Sequence, residues 1–251
     1  MTDLTGKVAV VTGSARGIGE AIAKRFASLG ANVVVNYSTD EENARRTASE
    51  IEAAGGRAHV VQADISSLPD IDRLFDETIS TFGSIDIVVA NAGREVIGQL
   101  AVDVTEDDFD RIFKVNAKGS FFTLQKAAKV LADGGRLISI GSTSTILPYS
   151  GMGLYSSSKV VAAQLVRILS LELASRAITV NNILPTGILG AGVFADLADS
   201  EAFRALDAQM GRIDGRVGTP ADVADAAEYF VSDLAGWVSG QTLTVAGGAI
   251  A

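Results

Sequence analysis

The chain has 251 residues, no cysteine and one histidine, His59. Without cysteine there can be no disulfide, no thiolate nucleophile and no cysteine-based metal site. A lone histidine argues against a histidine-rich metal centre and against a serine–histidine–aspartate triad built elsewhere, so no metal is expected. Basic residues are also in deficit, with 21 Lys and Arg against 30 Asp and Glu and a formal net charge of -9. That balance is wrong for a nucleic acid or an anionic membrane, although a locally positive pocket for an anionic cofactor is still compatible with it. No apolar run is long enough to span a bilayer, and Met1-Thr2-Asp3-Leu4-Thr5-Gly6-Lys7 lacks the apolar core of a signal peptide. The expectation is a cytoplasmic enzyme without nucleic-acid or membrane partners. There are only four prolines against 26 glycines, and 47% of residues are hydrophobic, which fits an ordered globular protein. One domain over 1–251 suits this length better than two.

Short β-branched runs recur at Val8–Val11, Val33–Val35, Ala58–Val61, Ile85–Val89, Leu137–Ile140, Ile178–Leu184 and Leu243–Val245. Each is almost continuously apolar, as a strand covered on both faces should be. Segments of helical spacing lie between them, marked by Ile18, Ile22, Phe26 and Leu29, then by Ile71, Leu74, Phe75 and Ile79. Alternating strands and helices imply an α/β fold with a parallel sheet. The stretch Val160–Leu173 is apolar over most of a helical circumference. Burial against a second copy would cover it, giving a homo-oligomer (dimer or tetramer); the alternative is an internal helix of a large monomer.

The first run ends in Thr12-Gly13-Ser14-Ala15-Arg16-Gly17-Ile18-Gly19, and a helical pattern follows at once. Glycines here permit a tight turn, close approach of backbone to a pyrophosphate and close helix–strand packing. The helix N-terminus that follows offers free N–H groups to phosphates. After the second strand come Asn36-Tyr37-Ser38-Thr39, with no carboxylate before Asp40. A carboxylate there would bind a ribose 2′-hydroxyl and repel a 2′-phosphate. Its absence, with Arg16 as an attracting charge and Ser38 as a donor, points to NADP(H), with NAD(H) as the alternative.

Tyr155 and Lys159 stand at i and i+4, on one helix face. Ser142 lies upstream, just past the end of a strand, and Asn116 lies at the start of another predicted helix. Together with the glycine turn and Asn91-Ala92-Gly93, these residues resemble the short-chain dehydrogenase/reductase family, from Lys7 to Gly248. Within that family the similarity is to 3-oxoacyl-acyl-carrier-protein reductases and carbonyl reductases. The resemblance implies a Rossmann-type doubly wound sheet of about seven parallel strands in three α/β/α layers. It implies a catalytic tetrad of Asn116, Ser142, Tyr155 and Lys159, and a cofactor site of Gly13, Ser14, Arg16, Gly17, Ile18, Gly19, Tyr37, Ser38, Asp64, Ile65, Asn91, Ala92, Gly93, Pro185, Gly187 and Ile188, with Tyr155 and Lys159 shared. Tyr155 would exchange the proton of a ketone/alcohol pair. Lys159 would lower its pKa, because an adjacent ammonium favours phenolate. Ser142 would hold the substrate oxygen, and Asn116 a relay water. Ser144 competes with Ser142 for its role.

The pattern is broken at Pro185-Thr186-Gly187, where Thr186 stands between the Pro and Gly that the family usually has together. From 186 to 218 no strand is evident. Loops this long usually serve function, here a cover over the substrate or, alternatively, an oligomer contact. Ser144, Tyr149 and Met152, with Leu154, are expected to line the pocket of a small-molecule carbonyl or alcohol, with Arg94 near its mouth. A non-catalytic dinucleotide sensor on the same fold is the competing reading.

Overall fold

The computed structural model describes residues 2–192, 195 and 213–249. Its seven strands are β1 (Val8–Val11), β2 (Asn32–Tyr37), β3 (Arg57–Gln62), β4 (Ile87–Ala90), β5 (Arg136–Ile140), β6 (Thr179–Pro185) and β7 (Thr242–Val245). They form one sheet in the order β3-β2-β1-β4-β5-β6-β7, and every pairing is parallel. All seven apolar runs are thus strands, shifted by a few residues at some ends.

The helices alternate with the strands: α1 (Gly17–Ser28), α2 (Glu41–Ala53), α3 (Leu68–Phe82), α4 (Glu106–Phe113), α5 (Ser120–Val130), α6 (Gly153–Glu172) and α7 (Pro220–Val231). Side chains leave a strand on alternate sides, so one strand feeds two cores. Ala9 and Val11 of β1 pack with Ile22 and Phe26 of α1 and with Val223 and Phe230 of α7. Val10, their neighbour, packs on the other face with Leu74 and Phe75 of α3, Leu124 of α5 and Val166 of α6. This is the doubly wound, three-layer α/β/α arrangement. Truncating a fully buried ring such as Phe26 would cost about 3–5 kcal/mol.

The strand order turns around at β1, whose neighbours are β2 and β4. Connections leaving β1 and β4 pass to opposite faces, and a crevice opens beyond their carboxyl ends. In α6, Ala162, Val166 and Leu169 are buried, while Val160, Ile168 and Leu171 are exposed. The apolar circumference read from the sequence is therefore only half covered by the sheet. Among the described residues, no helix is long and apolar enough to cross a membrane.

Candidate active site

The crevice is a cleft of about 890 Å³ running over the ends of β1, β4 and β5. Its dinucleotide end is built from backbone. Thr12 Oγ1 accepts hydrogen bonds from the N–H groups of Asn91 (3.0 Å) and Ala92 (3.1 Å). The Asn91 amide donates back to the carbonyls of Thr12 (2.9 Å) and Gly13 (3.0 Å). These bonds lash the glycine turn to the end of β4. On the other side Asn36, fully buried, accepts from the Gly13 N–H at 3.0 Å and donates to the carbonyls of Val61 and Ala63. Its polar position inside an apolar strand was the available sequence signal for this role.

Three glycines of the cleft have no room for a side chain. A Cβ on Gly19 would lie 2.4 Å from the Gly13 carbonyl oxygen, and one on Gly13 would lie 2.9 Å from Ala92. One on Gly93 would lie 2.9 Å from Lys159 Nζ. No side chain caps the first turn of α1, so its N-terminal donors are left for an anion. Arg16, Tyr37, Ser38 and Asp64 line the same end, with Ile65 beneath them. Asp40 lines it too, but its carboxylate is engaged by the Asn43 backbone and side chain at the start of α2.

One expected cofactor residue is not brought to the cleft. Ser14 is fully buried, its hydroxyl donating to the Val11 carbonyl (2.7 Å) and accepting from the Asn36 N–H (3.0 Å). It bolts the turn to β2 instead of facing a ligand. Leu154 is likewise packed inside, whereas Ser144, Tyr149, Met152 and Arg94 reach the cleft. Pro185, Thr186, Gly187 and Ile188 line it as well. Thr186 donates its N–H to Val245 O, continuing the β6–β7 ladder, so its backbone makes no bulge. Of the 186–218 cover, Val193, Phe194, Leu197, Phe203, Leu206 and Met210 lie outside the described residues.

At the other end of the cleft, the first turns of α6 carry Tyr155 and Lys159, both buried. Ser142 follows β5 and lines the cleft together with Tyr155, while the Ser144 hydroxyl donates to Ser142 Oγ at 3.0 Å. Both serines line the cleft, and they are joined to each other by that bond. Asn116 sits in a short π-helical segment, Lys114–Gly119, between α4 and α5. Such widened turns recur where a side chain must be re-aimed. Asn116 does not line the cleft. Its amide clamps the Arg94 backbone, accepting from N–H and donating to C=O, both at 2.8 Å, and donates to Ser158 Oγ at 2.9 Å. Ser158 in turn donates to the Tyr155 carbonyl at 2.7 Å. The chain Arg94–Asn116–Ser158–Tyr155 ties the segment after β4 to the start of α6.

The sequence profile of the family described as "Enoyl-(Acyl carrier protein) reductase" matches residues 13–249. The short chain dehydrogenase claC of Passalora fulva is 39% identical over 98% of this chain and 95% of its own length. The chain belongs to the short-chain dehydrogenase/reductase family. Solved members of similar shape include the angucycline C-6 ketoreductase LanV with bound NADP, at TM-score 0.90 and 36% identity, covering 99% of this chain and 97% of that one. A short chain dehydrogenase from Burkholderia cenocepacia J2315 in complex with NADP gives TM-score 0.89 and 37% identity, covering 99% of each chain.

In this member of the family, burial governs the two titrating groups. Desolvation raises the Tyr155 phenol above its ordinary range; the negative charge of Glu95 adds to the rise, and the Ser142 hydroxyl opposes it. Desolvation also lowers Lys159 to about 8, with Glu95 acting against that fall. The net shift of Tyr155 is upward, opposite to the fall expected from Lys159. Lys159 Nζ is 5.9 Å from the phenol ring centroid and donates to the Ile140 carbonyl at 3.2 Å, so the low-dielectric surroundings outweigh its charge. Glu95, not singled out by sequence reading, is the acidic group felt by both. Its signal was long-range proximity, which spacing does not reveal. Among the described residues no cluster of acidic or histidine side chains could hold a metal ion.

Proposed function

We propose that this protein is an NADP(H)-linked oxidoreductase that interconverts a ketone and a secondary alcohol, with Tyr155 as the proton-transfer group. The observation that carries this reading is one cleft holding both the glycine turn and, at its other end, the buried Tyr155 and Lys159 with the half-buried Ser142. The turn suits a dinucleotide: Gly13 and Gly19 are packed where a Cβ would clash, and the α1 donors are uncapped. NADP is bound by the LanV and Burkholderia relatives. In this chain, Gly13, Gly17, Ile18 and Gly19 would hold the pyrophosphate and Asp64 the adenine. Arg16 and Ser38 would hold the 2′-phosphate, and Lys159 the nicotinamide ribose. When bound, NADPH supplies the hydride.

The chain's own residues then handle charge and protons. A carbonyl oxygen gains negative charge during reduction and needs preorganised donors. Ser142 donates to that oxygen, and Tyr155 transfers its proton to it. Burial holds the phenol in its protonated form, so the proton to be transferred is present before the hydride arrives. The Lys159 ammonium stabilises the phenolate left behind. Asn116 keeps the segment bearing Glu95 in register with Tyr155. The exposed Val160, Ile168 and Leu171 of α6 support assembly of a homo-oligomer. A cytoplasmic setting, where dinucleotides diffuse freely, belongs to the same proposal.

A panel of ketones with NADPH consumption and product analysis tests the reading. The expected outcome is a secondary alcohol formed one-for-one with NADPH consumed. Failure of every ketone, with intact NADPH binding, contradicts it.

A further inference from the structure

Two loops border the reaction end of the cleft, one after β4 and one after β5, and they meet glycine to glycine. The Gly98 N–H donates to the Gly151 carbonyl at 3.0 Å. A Cβ on Gly151 would lie 2.9 Å from Gly98 Cα, so the two backbones touch where no side chain fits. Both glycines have positive φ, 86° at Gly98 and 78° at Gly151. The contact continues outward, with Ala101 Cβ 3.1 Å from where a Gly153 Cβ would be. The first loop is also held at its root, where Asn116 clamps the Arg94 peptide N–H and C=O at 2.8 Å. These contacts fix the backbone that carries two large apolar side chains. Ile97 immediately precedes Gly98, and Tyr149 precedes Gly151 by two residues. Both line the cleft, yet Ile97 is 45% and Tyr149 41% exposed. The protein itself leaves these surfaces open, at the end of the cleft where Tyr155 and Ser142 stand. Large apolar side chains held open in a cleft beside a few polar groups mark a ligand-binding surface.

We infer that Ile97 and Tyr149 are specificity-determining residues that together form a subsite for an apolar ring of the substrate, so that the preferred ketones carry an aryl or alicyclic group a few bonds from the carbonyl. This rests on the proposed ketone reduction at the same site. A ring gains more there than a chain of equal size, because it loses no internal rotations when its apolar surface leaves water. The face of Tyr149 can also stack on it.

The test uses two methyl ketones that differ only by the ring, 4-phenyl-2-butanone and 2-butanone. The readout is the ratio of their kcat/KM values with NADPH, in wild type, Ile97→Ala, Tyr149→Ala and the conservative Ile97→Leu and Tyr149→Phe. The ratio cancels any general change in rate. In wild type it should favour the phenyl ketone by roughly 30-fold or more. Each alanine variant is expected to lower that preference about fivefold, and each conservative variant to keep it within about twofold. Both side chains are exposed, so truncation should leave the fold intact, which NADPH affinity by fluorescence titration checks. The same proteins, loaded with NADP, are titrated with 4-phenyl-2-butanol by ligand-observed NMR. This measures Kd without turnover, and Kd should rise about fivefold in each alanine variant. If the wild type reduces neither ketone, the proposed reaction is at fault, and the Kd series still decides the subsite. A Kd within about twofold of wild type in either alanine variant overturns the inference.

Discussion

The two ends of the cleft are built differently. At the dinucleotide end, specificity resides in backbone: Thr12, Asn36 and Asn91 tie β1, β2 and β4 together, and glycines are packed where no side chain fits. At the reaction end it resides in side chains, where buried Tyr155 and Lys159 meet half-open positions such as Ile97 and Tyr149. A backbone-built site recognises what all its ligands share, a phosphate and a ribose. A side-chain-built site can change its ligand with one substitution. The first should therefore fail abruptly when altered, and the second should retune.

The largest effect is expected at the rigid end. Gly19→Val places branched carbon where even a Cβ would sit 2.4 Å from the Gly13 carbonyl and 2.5 Å from Asn91 Nδ2. NADPH affinity, measured by fluorescence titration, should fall at least ~100-fold, because turn, strand and helix must all shift. Retained affinity would mean that the turn is not the phosphate site. Next comes Arg16, which lines the cleft beside Tyr37 and Ser38. Arg16→Ala should lower the NADPH-to-NADH ratio of kcat/KM by roughly tenfold, the worth of a charge-assisted phosphate contact. An unchanged ratio removes Arg16 from cofactor choice.

The smaller effect is one of pH at the reaction end. Lys159 sits near 8, below its ordinary 10.5, because burial penalises the ammonium. Reduction should therefore slow as pH rises through about 8, where that charge is lost. Stability should move the other way. A depressed lysine binds its proton more weakly folded than unfolded, so its contribution is least favourable below about 8 and recovers toward 10.5. The stability advantage of Lys159→Met over wild type should then narrow across that window in urea titrations. Parallel loss of rate and stability would show alkaline unfolding instead of titration of Lys159.

The same contrast explains what was legible in the sequence. Strands buried on both faces write themselves as β-branched runs, and β1 was read to the residue. β2 was read short, because Asn36 and Tyr37 extend it with a polar and an aromatic side chain. The glycine turn and the meeting of Ser142, Tyr155 and Lys159 in one cleft were legible because their spacing is local or shared with a known family. Ser14 was misplaced because spacing does not tell which way a small side chain turns. The sign of the Tyr155 shift was misjudged for a related reason: an i, i+4 pair shows proximity but not burial. The π-helical turn that aims Asn116 at Arg94, and the approach of Glu95 to Gly192, depend on contacts between distant segments.

The central claim is that Tyr155 transfers the proton in an NADPH-dependent ketone reduction. Tyr155→Phe removes one hydroxyl from a buried ring and leaves the dinucleotide end intact. With NADPH binding checked by fluorescence, kcat for a reduced ketone should fall by roughly 100-fold or more. Wild-type turnover in that variant would contradict the account.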